Sequence, residues 1–289
     1  MHSIAILGCG YTGLRLATRY LAAGARVRGY ATRTESLQQI AATGAEPAEL
    51  DLDRASDECL AAAVRTEDVV FYCAPPAPSG RTDTRLARLL AKLLARPQRF
   101  VYLSTTGVYG DHQGGIVDED TPPTPRTERA ARRLAAETDL RAWGSDRNLS
   151  WCILRVAGIY GPGRLPLSRL LHREPAIDPA ESTPTNRIHV DDLVSASYAA
   201  GHAAAADRRI FNVTDGSDDS STAFLQRVAR IANLPAPPLI SRSEAQRTFS
   251  ASTWSFLGES RRVSNRRLRE ELGLQLAYAD VDAGIAASL

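Results

Sequence analysis

The sequence predicts an α/β fold built on one doubly wound parallel sheet, followed by a smaller C-terminal domain. Over residues 3–105, apolar runs of strand length alternate with amphipathic segments of helical periodicity. The run Val69–Tyr72 is continuously apolar, as expected of a strand that helices cover on both faces. A turn of the form Gly8-x-Gly10-x-x-Gly13 joins the first strand to the first helix. This βαβ alternation implies right-handed crossovers that wind outward from the first strand.

The same patterns locate the elements and the domains. Strands are expected at 3–8, 26–31, 46–50, 68–73, 99–104, 150–156 and 210–213. Helices are expected at 13–23, 34–43, 54–64, 82–95, 127–147, 192–205, 222–232, 266–272 and 279–288. Residues 1–163 and 187–215 form the predicted sheet domain, whereas 164–186 and 216–289 form the smaller domain. The smaller domain is expected to cap the carboxyl ends of the strands, where doubly wound sheets bind their ligands.

Composition and charge exclude several classes of function. The net charge of +2 over 289 residues is too small to predict a nucleic acid or an anionic membrane as partner. No apolar run has the length of a membrane span, and no signal-peptide pattern opens the sequence, so a cytoplasmic location is expected. The four cysteines and five histidines are scattered without ligand spacing, so no metal site is expected.

The glycine turn is the dinucleotide-binding fingerprint in the context that it requires, between a strand and a helix. Gly8 permits the tight turn, Gly10 lets the backbone approach a pyrophosphate, and Gly13 lets the helix pack closely on the strand. Tyr11 and Thr12 lie where the first N–H groups of the helix would face the phosphates. These five residues are the predicted pyrophosphate site.

Thr32 and Arg33 end the second strand, about 20 residues after the glycines, where an NAD site usually carries an acidic residue. Arginine can pair with a 2′-phosphate through charge-assisted hydrogen bonds, which a carboxylate would repel. This pattern favours NADP over NAD as the cofactor. The alternative is that Arg33 is solvated and Thr34 only caps the next helix.

Residues after the third and fourth strands are expected to bind the rest of the cofactor. Asp51 and Leu52 follow the third strand, where a carboxylate can reach the amino group of adenine. The neighbouring Asp53 is equally well explained as a helix cap. Ala74 and Pro75 follow the fourth strand and would let the ribose pass close to the backbone.

The fifth strand ends in a cluster of hydroxyl groups that includes Ser104, Thr105 and Tyr109. Such groups could hydrogen-bond a carbonyl or an alcohol and transfer its proton. The alternatives are that the serine and threonine cap turns and that Tyr109 only lines the substrate pocket.

Several stretches occur in the order of a known family: the glycine turn, Leu103–Gly110, Leu154–Gly163, Ile188–Leu193 and Phe211–Val213. With them the chain resembles the extended or atypical short-chain dehydrogenase/reductases of the NAD-dependent epimerase/dehydratase type. The resemblance implies a Rossmann domain that binds NAD(P) and a small substrate domain. It also implies redox or epimerase chemistry at a hydroxyl or carbonyl of a nucleotide-sugar-like or small carbonyl substrate, often in a homodimer.

The chain departs from this family at the catalytic pair, a tyrosine followed by a lysine four residues later. In the family's register, Arg129 stands in the place of the tyrosine and Arg133 in that of the lysine. Arg133 is expected to bond the nicotinamide ribose, but arginine cannot give up a proton. Tyr109, with Ser104 and Thr105 beside it, is therefore the predicted proton donor. The alternative is a redox sensor that binds NADP without turnover.

Overall fold

The computed structural model describes residues 3–65 and 68–289. Its strands are β1 (Ser3–Leu7), β2 (Arg26–Ala31), β3 (Glu46–Glu49), β4 (Asp68–Tyr72), β5 (Arg99–Thr105), β6 (Ile116–Val117), β7 (Trp151–Val156), β8 (Gly158–Tyr160), β9 (Ala176–Ile177), β10 (Arg187–His189), β11 (Arg209–Val213), β12 (Leu239–Ile240) and β13 (Arg262–Val263). Its α-helices are α1 (Tyr11–Ala22), α2 (Thr34–Ala42), α3 (Asp57–Ala62), α4 (Thr84–Lys92), α5 (Glu128–Asp146), α6 (Leu167–Leu171), α7 (Val190–His202), α8 (Ser221–Ile231), α9 (Arg242–Thr248), α10 (Ala251–Leu257), α11 (Arg266–Glu270) and α12 (Val281–Ala286). Short 3₁₀ helices lie at Thr106–Tyr109 and Ala204–Ala206.

The central sheet has seven strands in the order β11-β7-β5-β4-β1-β2-β3. All neighbouring strands are parallel, so each connection must cross over the sheet. The predicted α/β class and doubly wound parallel sheet are confirmed. The short strands β6, β8, β9, β10, β12 and β13 and the helices α6, α9 and α10 were not predicted, because segments of two to seven residues leave no periodicity to read.

Alternation of side chains along the strands builds one apolar core on each face of the sheet. On β5, Val101 and Leu103 belong to the core beneath α1 and α7. Phe100 and Tyr102 belong to the opposite core, beneath α4 and α5. Because successive side chains point to opposite faces, Ser104 shares the α5 face with these two aromatic residues.

A third, smaller apolar core lies outside the main sheet and joins α6, α8 and α12. Its buried members include Leu170, Phe224, Val228 and Ile285, which pack around Tyr160. The pairing of β13 with β6 ties the C-terminal part of the chain to the sheet domain. The domain limits given by the sequence stay a prediction. Within the described residues, no helix is long and apolar enough to cross a membrane.

Candidate cofactor and substrate site

The glycine turn lies against the end of β4. Gly8 has a φ of +80°, and a Cβ at this position would lie 2.5 Å from both the N and the Cα of Ala74. Any larger residue would therefore be strained in its backbone and would collide with the neighbouring strand end. Gly8 thus sets both the turn and the close approach of Ala74.

The start of α1 has the features of a phosphate site. Gly10 caps the helix without a side-chain hydrogen bond, and the first turn carries no acidic residue. A Cβ on Gly10 would meet no atom within 4 Å, so the space beside its backbone is open. A Cβ on Gly13 would lie 3.1 Å from Ile6, which explains how α1 packs closely on β1. The unpaired N–H groups of this turn fit the pyrophosphate of a dinucleotide.

Tyr11 links the glycine turn to the loop that follows β8. Its hydroxyl donates a hydrogen bond to the carbonyl oxygen of Pro162, at 3.0 Å. The guanidinium carbons of Arg15 and Arg164 lie 4.1 Å and 4.0 Å from the centre of its ring. The side chain of Tyr11 is therefore held in place by contacts within the protein, and the side chain of Thr12 beside it is buried. Any contact of these two residues with a cofactor falls to their backbone N–H groups.

Thr32 and Arg33 are both exposed after β2. Arg33 is the residue at which α2 is capped, and it lends no side-chain hydrogen bond to the cap. Among the described residues, its guanidinium has neither an ion pair nor a hydrogen bond. The arrangement leaves the charge of Arg33 available to an anion.

An arginine that the sequence did not point to joins the turns after β3 and β4. Asp51 accepts a hydrogen bond from the backbone N–H of Asp53 at 2.9 Å, so it shapes its own turn. Arg85 on α4 donates from Nε to Asp53 at 2.7 Å and from Nη1 to the carbonyl oxygen of Pro75 at 3.2 Å. Its hydrogen bond lowers the pKa of the Asp53 carboxyl. Asp53 is thus used in this contact and does not cap α3, whose cap is Ser56.

Ser104 is not among the residues that line the cavity at the end of β5, so its position does not support the predicted catalytic role. The residue is only 5% exposed, and its Oγ donates to Oε1 of Glu137 at 2.5 Å. Glu137, on α5, is also paired with the buried Arg155 at 2.8 Å. The side chain of Ser104 is directed towards α5 because it follows the face of Phe100 and Tyr102. Its hydroxyl therefore supports the buried ion pair of Glu137 and Arg155.

Tyr109 is also placed away from the cavity. The side chain is fully buried, and its hydroxyl donates to Oδ1 of Asn212 at 2.8 Å. Burial raises the pKa of Tyr109 to about 12, with Arg155 acting in the opposite direction. The geometry therefore does not support proton transfer by Tyr109, either by position or by acidity.

Thr105 and Arg133 do line a cavity, of about 770 Å³, at the end of β5. Thr105 accepts a hydrogen bond from the N–H of Gly107 at 3.1 Å and so caps the 3₁₀ helix that follows. Arg133 donates from Nη1 to the hydroxyl of Tyr102 and to the carbonyl oxygen of Leu103, both at 3.1 Å. These bonds fix one edge of the guanidinium between the sheet and the cavity.

The cavity is strongly cationic. Its lining includes one acidic residue, Glu259, and the arginines Arg129, Arg133, Arg164, Arg169, Arg187 and Arg261. Glu259 is paired with Arg261 at 2.9 Å, so it is already partly neutralised. Burial lowers the pKa of Arg187 to about 10, and the nearby Asp215 and Asp219 oppose that shift. Of these arginines the sequence pointed to Arg129 and Arg133 through the family's register, but not to the other four, because neither spacing nor composition shows which ones meet in a cavity.

His189 and Asp192 have structural roles that account for their hydrogen bonds. His189 is buried, and its Nδ1 accepts a hydrogen bond from the N–H of Asp191 at 3.2 Å, which caps α7. Asp192 accepts from the N–H groups of Ala277 and Tyr278 and so holds the C-terminal segment. No group of three potential metal ligands occurs in the described part of the chain.

A parallel sheet with a glycine turn at its first helix, open beside Gly10, defines a Rossmann dinucleotide-binding protein. Residues 4–214 match the family model of the NAD dependent epimerase/dehydratase family. The chain belongs to this family, as the order of its motifs predicted.

Individual proteins are similar to this chain over nearly its whole length. A solved structure of a functionally unknown conserved protein from Silicibacter pomeroyi DSS is 30% identical, with a TM-score of 0.81 and coverage of 99% of this chain and 98% of that one. Protein YeeZ from Escherichia coli K12 is 26% identical over 97% of each chain. UDP-glucuronic acid 4-epimerase from Bacillus cereus, solved in complex with NAD, is 16% identical, with a TM-score of 0.78 and coverage of 99% and 97%. At that identity the epimerase shares the fold.

Proposed function

We propose that the protein binds NADP(H) in preference to NAD(H). It uses the cofactor for redox or epimerase chemistry at a hydroxyl or carbonyl group of a nucleotide-sugar-like or small carbonyl substrate. One observation carries the proposed chemistry. Thr105 and Arg133 line a cavity at the end of β5. Arg133 also donates to the carbonyl oxygen of Ala74, at 3.5 Å, beside the glycine turn, so the cavity adjoins the cofactor site. Family membership and the nucleotide-sugar epimerase that shares the fold support the same substrate class.

The proposed cofactor contacts use residues that follow β1, β2, β3 and β4. The N–H groups at Tyr11, Thr12 and Gly13 bind the pyrophosphate, with Gly8 and Gly10 making the approach possible. The 2′-phosphate is bound by the exposed hydroxyl of Thr32 and the exposed guanidinium of Arg33. The adenosine is bordered by residues that follow β3 and β4, namely Asp51, Leu52, Ala74 and Pro75. When bound, the nicotinamide accepts or supplies a hydride.

Two side chains of this chain serve the reaction. The hydroxyl of Thr105 donates a hydrogen bond to the reacting oxygen; when a carbonyl is reduced this oxygen takes up the proton and water replaces it on Thr105, and the reverse transfer accompanies oxidation of a hydroxyl. Arg133 binds the ribose and stabilises negative charge as it develops nearby. Arg133 stays protonated throughout, so it contributes charge and position and no proton. Ser104 and Tyr109 take no part in this proposal, because their hydroxyls are buried.

Calorimetric titration with NADP, NADPH, NAD and NADH tests the cofactor preference. Arg33→Ala removes a charge-assisted contact, so NADP affinity should fall by about 10- to 100-fold while NAD affinity stays unchanged. Arg26→Ala, at the opposite end of β2, is the matched control and should change neither. Tighter binding of NAD than of NADP, or undiminished NADP affinity in Arg33→Ala, would contradict the preference.

A second function, a redox sensor that binds NADP without turnover, is favoured by one observation. The predicted proton donors Ser104 and Tyr109 are buried, and no tyrosine–lysine pair replaces them. The two functions are separated by incubating the NADPH complex with a panel of nucleotide sugars and small carbonyl compounds. If any of these compounds oxidises the nicotinamide, and this oxidation is lost in Thr105→Val, the result supports the enzymatic function. Tight binding of NADPH with no oxidation supports the sensor.

The oligomeric state and location stay predictions of the sequence. A homodimer is expected from the family, and light scattering on the eluting protein would measure its mass directly. Fractionation of cells that express the chain would test the cytoplasmic location.

A further inference from the structure

Arg129 stands one helical turn before Arg133 on α5, and both residues line the cavity. The guanidinium carbon of Arg129 lies 3.8 Å from the centre of the Phe256 ring, on α10. Arg129 therefore lies on the side of the cavity formed by the C-terminal part of the chain. Arg133 lies on the other side, where its Nη1 is bound to groups of β5.

The charge of Arg129 is not matched by the protein. Among the described residues, no carboxylate lies within ion-pair distance of Arg129 or of Arg133. Like charges four residues apart on one helix repel each other. Loss of hydration and the charge of Arg133 both lower the pKa of Arg129, and the charge of Glu259 opposes them. An oxyanion beside Arg129 would relieve this repulsion.

Other arginines extend the positive field without meeting Arg129. Arg164 is stacked on Tyr11 and has no ion pair within the described chain, and Arg169 is paired with Glu174 at 3.0 Å. The cavity consequently attracts anions as a whole, but only Arg129 combines an unpaired guanidinium with the position of the family's tyrosine. A guanidinium presents a planar set of donors that fits a carboxylate or a phosphate in two parallel hydrogen bonds.

We infer that Arg129 binds an oxyanion on the reacting unit of the substrate, a carboxylate or a phosphate near the hydroxyl or carbonyl group. The residue thus selects an acidic substrate at the place where family members carry the tyrosine. The inference rests on the proposed function, because it takes this cavity to be the substrate site. It differs in what it requires, since binding of the oxyanion needs no hydride transfer.

Calorimetry on the NADP-saturated protein tests the inference with probe pairs that differ in one oxyanion on the sugar, called acidic where the sugar carries it and neutral where it does not. UDP-glucuronic acid is compared with UDP-glucose, since both carry the same charged diphosphate, and glucose 6-phosphate is compared with glucose. At least one acidic probe should bind about tenfold or more tightly than its neutral counterpart, as expected for a charge-assisted pair. The preference should disappear in Arg129→Gln, whose affinity for the neutral probe should stay within about twofold. The first pair of probes reports a carboxylate and the second a phosphate.

Arg141→Gln is the matched control, because it removes the same charge from an exposed position of α5 outside the cavity. It should keep the preference, and Arg129→Lys, which keeps the charge without the planar donors, should keep part of it. Equal affinity for every acidic and neutral pair in the native protein, or a preference that survives in Arg129→Gln, would overturn the inference. Loss of NADP affinity in Arg129→Gln would also overturn it, by assigning Arg129 to the cofactor. If the acidic probes bind more tightly than the neutral ones but none of the probes oxidises NADPH, the result would contradict only the proposed function.

Discussion

Ser104→Ala separates the buried position of this residue from the catalytic role that the sequence suggested. The substitution removes the hydrogen bond of 2.5 Å to Glu137 without adding volume. A hydrogen bond to a charged partner contributes about 1.5–3 kcal/mol, so the free energy of unfolding should fall by about that amount. Because the hydroxyl does not line the cavity, cofactor affinity and any turnover should stay unchanged.

Substitutions of the ion-pair residues Glu137 and Arg155 test the same buried cluster with larger expected changes in the free energy of unfolding. Arg155→Met leaves the Glu137 carboxylate buried without its cation and should cost about 3–5 kcal/mol. Replacing both members by apolar residues, Glu137→Leu with Arg155→Met, should recover much of that loss, since no uncompensated charge then remains buried.

Urea unfolding followed by circular dichroism measures these changes as shifts of the midpoint at a constant slope. Ser145→Ala, at an exposed position of α5, is the control and should stay within about 0.5 kcal/mol of the native protein. A Ser104→Ala protein with native stability and lost turnover would contradict the structural role of Ser104, because the hydroxyl would then serve the reaction and not the ion pair.

Three further substitutions test other parts of the structure. Gly8→Ala should destabilise the protein by about 1–3 kcal/mol or more, from the positive φ and the collision with Ala74, and should weaken cofactor binding in a calorimetric titration. Tyr109→Phe leaves Asn212 without its donor and should cost about 1–3 kcal/mol in urea unfolding with no change in turnover. Burial raises the pKa of Asp215 to about 6. The protonated carboxyl therefore contributes fully to stability at a pH below the pKa of Asp215 in the unfolded chain, and this contribution is lost as the pH rises through 6. Asp215→Asn should accordingly gain up to about 3 kcal/mol relative to the native protein between pH 4 and pH 8, and an unchanged pH profile would contradict this assignment.

The sequence was sufficient for the sheet because its signals are periodic and local. The apolar runs of β1, β4 and β5 and the helical spacing of α1 and α5 each identify an element without reference to the rest of the chain. The glycine turn was equally readable, since Gly8 must tolerate a positive φ whatever surrounds it. Short pieces such as α10 carry no such signal, and their contacts depend on packing between segments far apart in the chain.

The side chains of the site were harder to assign, although one signal was present. Alternation on β5 puts Ser104 on the face of Phe100 and Tyr102, which α5 covers, and Glu137 lies on that helix. Combining strand alternation with the charged residues of the following helix would have predicted the buried pair. The burial of Tyr109 could not be read in this way, because its partner Asn212 is 103 residues away in the chain.

A structure determined with NADP bound would show directly whether the glycine turn and the cavity form one site. We expect the pyrophosphate at the N–H groups of Tyr11, Thr12 and Gly13. We expect the nicotinamide in the cavity, facing Thr105 and Arg133. A nicotinamide that reaches Tyr109, or a cofactor bound elsewhere than at the glycine turn, would contradict this expectation.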